Sequence, residues 1–374
     1  MSTPIHSILV SGGGLAGTAL AHWLRRHGFA PTVVERAPGL RTGGQAVDVR
    51  GVALDVVGRM GLLERVRAAR TRLRGMTVLD GEGNELHRST EAVLSSGRLD
   101  SDDVEILRED LVRFLYELTA DEAEFLHDDS VTALEETASG VHVTFERAPA
   151  RTFDLVIGAD GLYSNVRRLA FGPHADFLSH LDAHLAVFTA DNFLGLADWE
   201  LYTKDAGNAY VVYPARDNRE LRVTFGFESG PLDLDHRDAD AQRRLVAERM
   251  ERFGWQREPM LEHLAAAEDF HFSAMAQVRM DHWSRGRVAL VGDAGYCGSP
   301  LTGQGTSLAL VGAYVLAEEL SRADADHATA FAAYERRMRP FVTANQALAT
   351  ENPGAPASEQ SMERAKWAMD LNAA

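Results

Sequence analysis

Along the chain, short apolar runs alternate with stretches of helical spacing, and that alternation sets the fold class. Residues 5–10 form an apolar run ending in three glycines. Residues 15–27 follow with Leu15, Ala19 and Trp23 on one side, and 31–35 form a second apolar run. Strand, glycine turn, helix and strand make a βαβ unit. Residues 51–70 read as helical, interrupted at Gly58 and Gly61. Residues 76–79 and 85–87 flank Asp80-Gly81-Glu82-Gly83-Asn84, which predicts a hairpin. An amphipathic helix is expected over 108–120, a second hairpin over 131–134 and 141–145 around Ser139-Gly140, and a buried strand over 153–157 ending at Gly158.

The texture then changes. Residues 183–189, 199–203, 209–213 and 221–227 are β-like and rich in aromatics; a helical stretch covers 239–252 and a last strand lies near 270–278. This is the pattern of an antiparallel sheet inserted into the dinucleotide fold. Residues 287–291 return to the first fold as a buried strand, 303–320 form a long helix, and 328–349 continue helically except at Pro340. Beyond the breaker Asn352-Pro353-Gly354-Ala355-Pro356 a last helix is expected over about 358–371. The division that follows is 1–72, 100–175 and 279–350 for the dinucleotide domain, 73–99 and 176–278 for the sheet domain, and 351–374 for a C-terminal helix.

Composition narrows the function. A chain of 374 residues exceeds one ordinary core, and 45% hydrophobic with 25% charged residues is usual for a soluble globular protein. A formal charge of −17 repels phosphate backbones, so nucleic acid is not an expected partner. Cys297 is the only cysteine, which rules out an intrachain disulfide and fits a reducing cytoplasm. No secretory signal is read at the N-terminus, and no apolar run approaches the roughly 20 residues of a membrane span.

Three motifs carry chemistry. In Gly12-Gly13-Gly14-Leu15-Ala16-Gly17, Gly12 permits a tight turn, Gly14 lets backbone approach a pyrophosphate, and Gly17 lets helix pack on strand. The helix that starts there, at Leu15 and Ala16, offers free N–H groups to phosphates. Eighteen residues after Gly17 stands Glu35, followed by Arg36. A carboxylate there accepts ribose hydroxyls and repels a 2′-phosphate, so FAD or NAD is favoured over NADP at this site. Asp160-Gly161-Leu162-Tyr163-Ser164-Asn165-Val166-Arg167 follows a strand; Asp160 could anchor the loop, and Arg167 could reach a phosphate or lock that carboxylate. Late in the chain Gly292-Asp293-Ala294 is followed by Pro300 and by Gly303-Gln304-Gly305-Thr306, a second strand-to-helix turn.

In this order and at this spacing the three motifs resemble the flavoprotein aromatic hydroxylases, single-component FAD monooxygenases. The resemblance implies an α/β chain: a Rossmann-like FAD-binding domain with an inserted antiparallel substrate-binding sheet, of the p-hydroxybenzoate-hydroxylase type. It implies that NADPH or NADH reduces the flavin, that O2 adds at its C4a atom, and that the hydroperoxide oxidises an aromatic or enolic small molecule. It puts Asp160 in a signature for FAD and nicotinamide cofactor, Asp293 on the ribityl chain, Pro300 and Gly303 near the flavin ring, and the N–H groups opening the Gly303-Gln304-Gly305-Thr306 helix at its N1–C2=O edge. No protein residue is assigned a catalytic proton. Arg41-Thr42-Gly43-Gly44-Gln45-Ala46-Val47-Asp48 and Leu107-Arg108-Glu109-Asp110-Leu111 are similar to segments of the tetracycline-inactivating branch of that family. By that likeness Arg41 meets the nicotinamide cofactor, Asp48 and Arg108 hold FAD, and Gly43 and Gly44 let backbone pass the ring. Family members are often monomers or homodimers. Many have His where this chain has Tyr296.

Two other readings remain open. A flavin-dependent halogenase usually carries a Trp-x-Trp segment, which this sequence lacks. A non-catalytic FAD-binding sensor is the other. No His/Cys spacing reads as a metal site. Tyr202, Tyr213 and Phe225, with the other aromatics of 199–227, could line a substrate cavity or form the core of the inserted sheet.

Overall fold

The computed structural model describes residues 5–40, 43–323, 326–352 and 356–372. Ser7–Ser11 lies at the centre of a six-stranded sheet, parallel to Ala30–Glu35 on one side and Leu155–Gly158 on the other. Glu124–His127 and Val288–Leu290 extend the sheet in parallel, and Ser284–Arg285 closes one edge antiparallel. Parallel strands covered on both faces are apolar throughout; Ile8, Leu9, Val10, Leu155, Val156 and Ile157 have no exposure. The helices Leu15–Arg26 and Gly305–Arg322, which follow two strands of this sheet, pack against each other.

A second sheet has seven strands, in the order His271–Val278, Leu178–Asp191, Glu220–Glu228, Asn208–Ala215, Glu200–Asp205, Met76–Leu79 and Glu85–Ser89. The expected hairpin at 76–89 forms and joins this sheet. Its junction departs from the expected antiparallel pattern, because Met76–Leu79 runs parallel to Glu200–Asp205. Strands so far apart in sequence need no hairpin between them, so nothing forces them antiparallel. One face of the sheet is covered by Ala239–Met250 and by Arg257–Ala266. The second of these helices had no clear signal: Pro259 sits in its first turn, and only Met260 and Leu264 are buried.

The helix His327–Glu351 runs unbroken through Pro340, where an interruption was expected. Burial of Met338, Phe341 and Val342 around the proline fastens both halves to the core and offsets the lost hydrogen bond. The last helix, Glu359–Lys366, is shorter than expected and is tied down by Lys366 Nζ, 3.1 Å from Asp103. A separate two-stranded ribbon pairs Ala46–Val49 with Val104–Leu107. Among the described residues no helix is long and apolar enough to cross a membrane.

Candidate active site

The glycine loop is shaped by what cannot fit there. Gly12 has φ +109°, and a Cβ on it would lie 2.5 Å from Ala159 O. Gly17 touches the carbonyl of Gly12, so helix and loop meet backbone to backbone. Gly14, by contrast, faces open space, with Arg108 Nη2 the nearest atom at 3.9 Å from its would-be Cβ. The helix that begins at Leu15 has no side-chain cap and no acidic residue in its first turn. Its free N–H groups therefore retain their affinity for an anion. Glu35 stands where the second strand ends; its carboxylate accepts the N–H of Gly13 at 2.7 Å and of Ala37 at 2.8 Å, which fixes the loop. Arg36 is exposed beside it, and Arg41 lies outside the described residues.

A second uncapped helix end faces the same region. Gly305–Arg322 also lacks a side-chain cap and a first-turn acid; Thr306 is buried in that turn, and a Cβ on Gly305 would meet nothing within 4 Å. Gln304, fully buried, has both amide atoms without a hydrogen-bond partner. Pro300 is exposed at the start of the preceding turn, beside Ser299 at φ +77°. A Cβ on Gly303 would lie 3.4 Å from Arg50 Nη2 and 3.6 Å from Asp48 Oδ2. Asp293 opens a one-turn helix at the end of Val288–Leu290; burial raises its pKa, while Cys297 and the positive charge of Arg108 lower it. Arg108 thus lies between the first helix end and the Asp293 turn, since its side chain also runs past Gly44 and Gly14. Open glycines, uncapped helix ends and the unpartnered buried amide of Gln304 suit an elongated group with phosphates at one end and a polar ring edge at the other.

The FAD binding domain family matches residues 6–349. The chain belongs to that family. A flavin-dependent monooxygenase of Legionella longbeachae serogroup 1 is 42% identical to it over 340 residues, covering 91% of this chain and 86% of the relative. An uncharacterised protein of Mycobacterium tuberculosis is 51% identical over 360 residues, covering 96% and 97%. Among solved structures, the tetracycline destructase Tet(51) superposes with a TM-score of 0.87 at 36% identity, covering 97% of this chain and 95% of that one. The protein is an FAD-dependent monooxygenase.

The Asp160 motif of the enzyme is an internal anchor. Asp160, half-buried, accepts the N–H groups of Asn165 at 2.8 Å and Val166 at 3.0 Å, and the hydroxyl of Ser164. Arg167 is fully buried and donates to Ala294 O at 2.8 Å and Leu162 O at 2.7 Å. It ties the Asp293 turn to the Asp160 loop through these two backbone carbonyls rather than through the Asp160 carboxylate. Tyr296 lies in the core: its hydroxyl is 2.9 Å from that of Tyr334, its ring packs on Trp283, and its oxygen fills the notch left by Gly312.

On the seven-stranded sheet, alternation divides the three aromatic candidates. Glu200, Tyr202, Tyr213, Arg222, Thr224 and Thr189 share one face by strand register. Tyr210, Val212, Leu221, Val223, Phe225 and Phe227 share the other, beneath the covering helices. Phe225, expected at the substrate, is instead a fully buried core residue. Tyr202 is half-buried on the first face, and the Tyr213 hydroxyl accepts the N–H of Ala46 at 2.7 Å, joining the sheet to the Gly43–Asp48 segment.

A charged cluster went unnoticed in the sequence. Glu109 accepts the N–H of Gly43 at 2.6 Å and also takes Arg222 at 2.9 Å and Arg216. Arg222 donates to Thr189 Oγ1, which in turn meets Asp269. These residues line a cleft of about 500 Å³ that, among the described residues, meets the glycine cradle at Gly43. Glu109 lies more than 60 residues from each of these partners, so no local pattern could have found them.

Proposed function

We propose that the enzyme uses a reduced nicotinamide, NADPH or NADH, and O2 to hydroxylate an electron-rich aromatic or enolic small molecule of polyketide type. The observation that carries this reading is the pair of uncapped helix ends at Gly14 and Gln304, with Arg108 beside the first. The likeness to tetracycline destructases supports the substrate class. When bound, FAD supplies the electron transfer and the oxygen chemistry. The residues around it do the rest. The N–H groups opening Gly305–Arg322 would stabilise negative charge on a ring edge held beside them. Glu35 and Arg108 orient the adenosine and phosphate end. Tyr202 and Tyr213, on the polar face of the sheet, border the substrate. A single buried thiol, Cys297, suits the cytoplasm, and the enzyme works as a monomer or homodimer.

The test follows NADPH and NADH consumption by the purified yellow protein, with H2O2 assayed in parallel, across phenolic polyketides and tetracyclines. A compound that accelerates consumption without matching peroxide release is the expected result. Should every compound leave both nicotinamides untouched, the self-contained hydroxylase reading falls.

A further inference from the structure

Beneath the Gly303 loop, the ribbon Ala46–Val49 against Val104–Leu107 places Asp48 directly opposite Glu105. Both side chains are 6% exposed. Like charges opposite each other on paired strands repel, and burial strengthens the repulsion. A third carboxylate, Glu200, is fully buried nearby, held by the N–H groups of Leu94 at 2.6 Å and Ser95 at 3.2 Å. Against these three stands one buried cation, Arg50, 2.8 Å from Asp48 Oδ2. Asp103 faces the cluster as well but is held by Lys366 at 3.1 Å, and Tyr213 closes it on the sheet side. The cluster thus carries more negative charge than its single guanidinium balances.

A second set of observations concerns unfilled bonding capacity. Asp48 Oδ1, Glu105 Oε1 and Arg50 Nε are buried and have no hydrogen-bond partner. Asp48 and Glu105 both line a small cavity of about 50 Å³, whose other walls include Thr71, Ser101 and the exposed Arg70 and Arg98. A polar cavity of that size has room for ordered water. At its inner end the Asp48–Arg50 pair touches Gly303; at its outer end it meets residues at the surface.

We propose that Asp48 and Glu105 hold one exchangeable proton between them, and that water in this cavity exchanges it with solvent, making the pair a proton store beneath the Gly303 loop. The step is a proton transfer alone. A proton leaves the Glu105 carboxyl for water in the cavity, which passes one on to bulk solvent, and the reverse path returns it, so the charge beneath the loop changes by one. Burial and the Asp48 charge push the Glu105 carboxyl well above the usual range, which favours Glu105 as the resting site. The functional half of the proposal rests on the flavin reading of the Gly303 loop; the shared proton does not.

Infrared difference spectroscopy on the full chain with bound FAD, at pH 7 in H2O and D2O, tests it. The expected result is a protonated carboxylic-acid C=O band that shifts within seconds of transfer to D2O and disappears in Glu105→Gln. Absence of such a band overturns the shared proton. A band that resists exchange for hours overturns the path through water. Because Glu105→Gln could fold poorly, Thr71→Val gives a second handle: removing the hydroxyl that donates to Glu105 Oε2 moves the band's titration to higher pH. A titration that stays in place shows the band belongs to another group. The last readout is the bound flavin's midpoint potential against pH. Its slope should break where the band titrates, and the break should vanish in Glu105→Gln. A break that persists disconnects the pair from the flavin. If FAD never binds but the band is present in the apoprotein, the flavin reading fails while the shared proton stands.

Discussion

The seven-stranded sheet has two faces built from the same strands to opposite ends. The helix-covered face is a dry core of Tyr210, Val212, Leu221, Val223, Phe225 and Phe227. The other carries Glu200, Tyr202, Tyr213, Arg222 and Thr224, each engaged with a partner or open to the site. Adjacent residues in one strand, Arg222 and Val223, therefore do unrelated work. The dry face sets stability; the polar face sets where the Gly43 loop sits.

The largest expected effect lies on the dry face. Phe225→Ala should cost about 3–5 kcal/mol of unfolding free energy, the range for emptying a buried aromatic site. Folded molecules, measured at low temperature, should retain full flavin content and an unchanged KM. A KM that rises in step with the stability loss would erase the distinction between the faces. Arg222→Met should cost less, about 2 kcal/mol for hydrogen bonds to a charged partner, since Arg216 still holds Glu109. Its signature should instead be weaker FAD retention, because Glu109 then holds the Gly43 N–H less firmly. Unaltered FAD affinity would show that the ionic cluster does not act through that loop.

The smallest effect concerns pH. His184, on the dry face, stacks on Phe227 and Phe272, and burial lowers its pKa to about 4. Its neutral form is favoured only in the folded state, so it contributes stability above its ordinary pKa of about 6.5, and that contribution is lost as pH falls from there toward 4. His184→Phe should flatten part of this acid limb in thermal unfolding at pH 7 against pH 5. An unchanged limb would assign the acid sensitivity to His22 and His174, whose pKa values are lowered in the same direction.

What could be read from the sequence follows the physics of each signal. Gly12, Gly17 and Gly303 were legible because a turn that excludes a side chain leaves a residue-type signature at fixed spacing. Strands 5–10 and 31–35 were legible because burial on both faces makes them apolar throughout. Phe225 was not legible, because in the middle of a two-sided sheet alternation shows that faces differ but not which one meets the ligand. The helix Arg257–Ala266 escaped because it buries only Met260 and Leu264. The Glu109–Arg216–Arg222 cluster and the Asp48–Glu105 pair depend on segments brought together by topology.

Tyr296 and Gly312 carry a consequence for how this protein can change. The tyrosine oxygen occupies the space that any side chain at 312 would need. A mutation at either position is thus conditional on the other. Substituting Gly312 while Tyr296 remains creates a collision, whereas a shorter residue at 296 opens the notch and strands the hydroxyl of Tyr334, leaving it Leu290 O alone at 3.0 Å. The two positions form one inherited character spread over two codons.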